Sequence, residues 1–268
     1  MLWLEQLFYG LASGLAACFP ISLEAHQDIL GTILGFEHPQ PLLHLMIDLG
    51  CLLALVVACS REWSLLHRSG GGDRAVQAAK NRMTLTMLKT ALPPMLVMLV
   101  LTRWFGRQLS GLLVMSAFLI ANGMLLFIPQ QLPVGNRDAR TLSPLASVLM
   151  GLAGGLAGFS GISCLAAMLC AALALGVSRS NALNYTYLLY IPGMLMCALF
   201  DGAALAAGME AVSAIVILRY LLAALGAYAG SSMAIMAMRS LAVKAGFTGF
   251  AFYSWGAAML ALILYLMT

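Results

Sequence analysis

Hydrophobic positions along this chain come in blocks about one membrane thick, separated by short polar breaks. Apolar runs cover 1–19, 42–59, 83–102, 111–130, 144–175, 182–206, 211–229 and 249–267. A helix of roughly 20 apolar residues matches the hydrocarbon layer of a bilayer, so each run predicts a membrane helix. The run 144–175 is too long for one simple span and predicts an internal break. The pattern predicts an all-α polytopic integral membrane protein. It forms one membrane domain over 1–268 and leaves no room for a soluble module. The first run carries Glu5 instead of a basic start, and no small-x-small site precedes Pro20, so it reads as part of the fold and not as a signal peptide.

Composition strengthens this picture. Hydrophobic residues make up 62% of the chain and charged residues 9%, against roughly 25% charged in soluble domains. The six cysteines lie in or beside apolar runs without metal-ligand spacing and read as small buried hydrophobes. Charge placement says more than the net +4. The loop from Ser60 to Arg82 carries Arg61, Arg68, Arg74, Lys80 and Arg82 against Glu62 and Asp73, and a later loop carries Arg137 and Arg140 against Asp138. The positive-inside tendency puts both on the cytoplasmic side, and the two spans between them allow it. Both loops are short and interrupted by acids, and Trp63 is the one Phe, Tyr or Trp among their basic residues, which argues against nucleic acid as a partner.

The chain also repeats itself. "GLASGLAACFPISLEA" (Gly10 to Ala25) and "GLAGGLAGFSGISCLA" (Gly151 to Ala166) share nine of sixteen positions at a constant offset of 141. With 1–35 entering and leaving on one side as a hairpin, three spans separate the copies, and an odd count inverts the second. The expectation is an inverted-topology repeat with halves 1–130 and 144–268. Phe19-Pro20-Ile21-Ser22 and Ser160-Gly161-Ile162-Ser163 would then be the tips of two re-entrant helical hairpins.

Ionisable residues inside apolar runs are costly and mark candidate function. Glu24, His26 and Asp28 are the densest set, with His26 two residues from each acid and suited to moving a proton near neutrality. Their alternative is a solvated group at headgroup level. His44 and Asp48 share a helix face as a structural tie or as pathway lining. Lys89 and Arg219 either snorkel or neutralise an internal acid, and Pro93-Pro94 predicts a kink. Arg179, between Ser178 and Ser180, is either a phosphate clamp or a snorkelling helix end. Conventional soluble-enzyme motifs such as a P-loop, GxSxG, HExxH or CxxC are absent.

Over nearly its whole length the chain resembles the bacterial undecaprenyl-diphosphate phosphatase family of the bacitracin-resistance type. The anchors are "GLASGLAACFPISLEAH", similar to the family's G-x-x-E-G-x-x-E-F-x-P-V-S-S-T-G-H, and "LLHLMIDLG". They continue in "GFSGISCLAAM", similar to the box around P-G-x-S-R-S-x-x-T, and "LGVSRSNALNYTYLLYIPGML". Carried over by position, the two first-box glutamates fall on Ser13 and Ala17, the adjacent serines on Ser22 and Leu23, and the histidine on His26. The second box keeps Ser163, while its arginine falls on Cys164 and its threonine on Met168. Phosphoryl transfer needs positive charge where oxygens develop negative charge, so these losses leave hydrolysis in question.

The resemblance implies a multi-pass protein of the bacterial inner membrane that handles a polyprenyl diphosphate in peptidoglycan synthesis. Three readings follow: a phosphatase with a rebuilt site, a non-catalytic polyprenyl-phosphate carrier or flippase, and a membrane scaffold. In the first, Ser22, Glu24 and His26 are catalytic candidates, and Ser13, Ser163, Ser178 and Arg179 are substrate-binding candidates. Glu24 and Asp28 are then the candidate ligands of Mg2+ or Ca2+, with Asp48 and His44 as further buried polar groups. The expected partners are the lipid substrate and the bilayer, with a homodimer left open.

Overall fold

The computed structural model describes residues 3–35, 40–62, 74–133, 135–208, 213–244 and 246–267. The expected basic loop from Ser60 to Arg82 lies partly outside them, at 63–73. The chain is helical: α1 (Trp3–Cys18), α2 (Leu23–Leu34), α3 (Pro41–Ala58), α4 (Arg74–Gly106), α5 (Leu112–Phe127), α6 (Pro144–Gly155), α7 (Cys164–Ala174), α8 (Arg179–Ala207), α9 (Ala214–Lys244) and α10 (Thr248–Met267). Five segments are long and apolar enough to cross a membrane: Pro41–Ala58, Asn81–Gly106, Arg179–Ala207, Ala214–Val243 and Thr248–Met267. This is an all-α polytopic membrane protein. The run 144–175 is broken, as its length required, into α6 and α7. By contrast α4 starts at Arg74, well before the apolar run at 83, and continues as helix through Pro93 and Pro94.

Two helical hairpins frame the interior. α1 ends at Cys18 because Pro20 cannot continue a helix and restricts Phe19 before it. α2 then starts from Ser22, whose Oγ caps it by accepting from the Ala25 amide at 3.4 Å. In the second hairpin α6 passes through a short 3-10 turn, Leu156–Gly158, and the chain reverses at Gly161, where φ is 112°. α7 starts from Ser163, whose Oγ accepts from the Ala166 amide at 3.2 Å. The two caps occupy equivalent positions of the repeat. The two ends of the second hairpin lie together, since Arg137 before α6 pairs with the turn after α7: its amide donates to Gly176 at 3.1 Å, and Ser178 donates to its carbonyl at 3.1 Å.

Small residues set the packing between helices far apart in sequence. α1 lies along α9, where Gly10 and Gly14 seat directly on the backbone of Ala223 and Ala227. α6 lies along α4 in the same way, with Gly151 on Ala91 and Gly155 on Met95. A Cβ at Gly10 or Gly151 would strike a carbonyl of the opposite helix, the close backbone approach that membrane helices achieve with small residues. α5 and α10 cross antiparallel: Met115 and Leu119 meet Ala258 and Ala261, while Leu126 meets Ala251. α3 packs on α8, and between them lies the main core, including Leu43, Ile47, Leu55, Leu165, Leu169 and Tyr187.

Candidate functional site

Where the hairpin tips meet, side chains from both copies of the repeat interlock. Ser22 Oγ accepts from the Gly161 amide at 3.1 Å, and Ser160 Oγ donates to Asp28 Oδ2 at 3.1 Å. The amide of Asn122, from the middle of α5, donates to the Pro20 carbonyl at 3.2 Å and accepts from the Ser163 amide at 2.9 Å. Beside this junction opens a cavity of about 370 Å³. Ser22, Glu24, Gln27 and Asp28 line it from the first hairpin, and Ser160, Ser163 and Cys164 from the second. His44 and Asp48 enter from α3, Arg103 from α4, and Tyr190 and Asp201 from α8; Arg107 follows just beyond α4.

Arg103 organises the charge. Its guanidinium pairs with Glu24 through Nη1 and reaches Asp201 Oδ1 through Nη2 at 3.4 Å. The side chains of Arg103, Glu24 and Asp201 are 22%, 30% and 14% exposed, so the group is partly wet and available to a ligand. Cys164, at the position of the family's second-box arginine, lines the same cavity. A guanidinium is therefore present, supplied by a different helix.

Two helices also begin at the cavity. α2 and α7 start from Ser22 and Ser163, both cavity-lining. The first amides of a helix lack intrahelical partners, and each serine cap occupies one of them. The remaining amides and the positive dipole ends point at the tips. Both hydroxyls accept from backbone amides, so each can still donate its own proton.

Of the residues marked from the sequence, Ser22, Glu24, Asp28, His44, Asp48 and Ser163 come together here. His26 does not line the cavity. The acids flanking it face Arg103 and Ser160, while its Nδ1 meets the Ser22 carbonyl at 2.6 Å and its Nε2 meets the Tyr253 hydroxyl at 2.9 Å. A carbonyl only accepts, so Nδ1 carries the proton and Nε2 accepts from Tyr253. Both nitrogens thus hold the tip against α10. Arg179 and Ser178 also lie outside the lining, at the base of the second hairpin beside the Arg137 pairing. Ser13 is fully buried in α1, away from the cavity, and its Oγ has no hydrogen-bond partner among the described residues. Arg219 lies 5.6 Å over the Trp3 ring, and Lys89 is exposed.

Arg103, Asp201 and Asn122 escaped the sequence reading. Asp201 had a signal, an acid inside the apolar run 182–206. Arg103 stands one residue beyond the run 83–102 and looks like a helix-end cation. The donor set for a divalent cation is not assembled: no three His, Cys, Asp or Glu side chains converge among the described residues. Glu24 faces Arg103, and Asp28 accepts from Ser160.

Comparison with known proteins agrees with the fold. The chain matches the family described as "Bacitracin resistance protein BacA" over residues 6–260. A protein named "Undecaprenyl-diphosphatase" from Desulforapulum autotrophicum is 24% identical over 276 residues, covering 97% of each chain. "Undecaprenyl-diphosphatase 1" from Halalkalibacterium halodurans is 28% identical over 279 residues, covering 98% of this chain and 97% of its own. A third, "Undecaprenyl-diphosphatase" from Carboxydothermus hydrogenoformans, is 23% identical over 260 residues. Matched over nearly its whole length, this membrane protein belongs to the bacitracin-resistance, undecaprenyl-diphosphatase family.

Proposed function

We propose that this protein binds the phosphate end of a polyprenyl diphosphate in the bacterial plasma membrane and hydrolyses its terminal phosphate at a rebuilt site. One observation carries the reading: two serine-capped helix N-termini and the Arg103 guanidinium open into one cavity. Helix N-termini and guanidinium forks are what phosphate oxygens need. The names of the relatives supply the lipid class. In the same reading both hairpins are re-entrant, within inverted halves 1–130 and 144–268. The packing of α1 on α9, α6 on α4 and α5 antiparallel to α10 supports that arrangement. It keeps the broken backbone at Phe19 to Ser22 and Leu156 to Ser163 inside protein, where membrane depth tolerates it.

In the mechanism Arg103 leaves Glu24 for the terminal phosphate. Glu24, freed of its partner, takes the proton of Ser22. Ser22 Oγ attacks the terminal phosphorus, the bond from phosphorus to the bridging oxygen breaks, and polyprenyl monophosphate leaves. Water then cleaves the phosphoserine, which releases inorganic phosphate and returns the proton to Ser22. The Ser163 hydroxyl donates to a remaining oxygen. His26 holds the tip from behind, and Arg179 and Ser178 take no part. Each of these steps runs through the chain's own side chains, starting from the resting pair of Glu24 and Arg103.

Phosphate release from undecaprenyl diphosphate by purified protein tests this directly. Wild type should release phosphate, and Arg103→Ala should lose about 10³-fold, as a transition-state arginine does. Release by Arg103→Ala at the wild-type rate would overturn the mechanism, and no release by folded wild type would overturn the hydrolytic reading. The charge balance of the cavity favours a second reading. Four carboxylates, Glu24, Asp28, Asp48 and Asp201, face two guanidiniums, Arg103 and Arg107, a set that binds a headgroup accompanied by protons or cations. A carrier of that kind should move polyprenyl phosphate between leaflets with a dependence on pH or divalent cations. Transport indifferent to both would remove it.

A further inference from the structure

Asn122 is fully buried at mid-length in α5, and both polar atoms of its side chain are engaged. Nδ2 donates to the Pro20 carbonyl at 3.2 Å and to Ser254 Oγ at 3.1 Å; Oδ1 accepts from the Ser163 amide at 2.9 Å. Pro20 belongs to the first tip and Ser163 to the second, so one amide from a third helix ties both. Its partner Ser254 sits on α10, 132 residues further along. The same separation relates Ala91 to Ala223, the residues that receive the repeat glycines on α4 and α9. Asn122 and Ser254 therefore meet where equivalent helices of the two halves cross.

The chemistry of the position is narrow. An amide offers a donor and an acceptor on neighbouring atoms; a carboxylate keeps only the acceptor, and an aliphatic side chain keeps neither. Without the amide, the Pro20 carbonyl and the Ser163 amide stay buried without this partner, the situation in which a lost hydrogen bond costs most. The other ties between the tips, Gly161 to Ser22 and Ser160 to Asp28, run through groups that line the cavity. Asn122 is not among the lining residues.

We infer that Asn122 is a positioning residue that fixes the separation of the two helix N-termini facing the cavity, holding the Ser22 and Ser163 hydroxyls in register for one phosphate group. This rests on the phosphate reading of the cavity, but the placement itself can be tested apart from activity. Cys164 follows Ser163 and lines the cavity at 8% exposure. Its reaction with a water-soluble maleimide, mapped by peptide mass spectrometry on the full chain in detergent, reports how closely the tips are held.

Asn122→Ala should speed Cys164 labelling by about tenfold or more, in proportion to the loss of a buried polar partner. Asn122→Asp keeps the acceptor for Ser163 and should give an intermediate rate, and it carries the test where the alanine variant does not fold. Ser231→Ala removes a different cross-helix bond, from Ser231 Oγ to the Gly14 carbonyl at 3.0 Å, and should leave Cys164 labelling unchanged. In the phosphate-release assay Asn122→Ala should lower kcat about 10²-fold with KM nearly constant, the signature of misplaced reacting groups. Unchanged Cys164 labelling in both Asn122 variants overturns the inference, as does equal labelling of Asn122→Ala and Ser231→Ala. Faster labelling in a protein whose wild type releases no phosphate upholds the placement and overturns only the hydrolytic reading.

Discussion

Glu24 carries two roles in the proposed reaction cycle. In the free cavity it neutralises Arg103, and in the proposed cycle it becomes the base for Ser22 once the guanidinium moves to phosphate. Glu24→Gln keeps the size and a hydrogen bond to Arg103 but cannot take the proton. Its turnover should fall about 10²-fold or more, the usual contribution of a positioned base, while the thermal midpoint stays near wild type. A Glu24→Gln variant with wild-type phosphate release would remove Glu24 from the chemistry. Tyr253→Phe separates positioning from catalysis at His26, since it deletes the 2.9 Å bond to Nε2 and leaves the ring contact. Stability should drop by about 1 kcal/mol, read from thermal unfolding in detergent, with phosphate release retained. At this scale the sequence reading found the carboxylates and serines because acids and hydroxyls stand out against apolar runs. It could not see that His26 stands apart from the cavity while Glu24 and Asp28 turn to Arg103 and Ser160, because neighbours in sequence point to different sides of a helix.

The hairpins are the elements on which the site depends, and they are positioned by glycine. Gly10→Ala and Gly151→Ala each place a Cβ against a carbonyl of the helix packed on it, at Ala223 and Ala91. Each should destabilise the protein by about 1–3 kcal/mol through overpacking, whereas Gly249→Ala, with open space around it, should be neutral. Equal thermal midpoints for all three would show that the close approach carries no weight. Helix existence was legible at this scale because membrane helices are written as uninterrupted apolar runs. The break in 144–175 was legible from length alone. The start of α4 at Arg74 was not, because a helix emerging from the bilayer can continue through Gln77, Lys80 and Arg82 without any apolar signal.

For the whole molecule, the offset of 141 between the copies carried more than either motif alone, since it pointed to two equivalent tips. Which helices would lie together was not legible. Partner choice is made by small residues on α4 and α9 that look like any other alanine in an apolar run. The result is an interlocked chain in which the first helix of each hairpin rests on a helix far from it in sequence: α1 rests on α9, and α6 rests on α4. For a protein made from one end this has a consequence in time. The partner of α1 begins only at Ala214, 196 residues after Cys18, and at 5–20 residues per second that is roughly 10–40 s of synthesis. During that interval the Gly10 and Gly14 face of α1 has no α9 to receive it. A nascent chain arrested before Ala214 should therefore show α1 open to cysteine-scanning reagents at Ser13, which is fully buried in the finished protein, and one arrested well after Lys244 should show it closed. The second hairpin faces no such wait, because α4 is already in the membrane when α6 arrives, so the two hairpins are assembled by different routes.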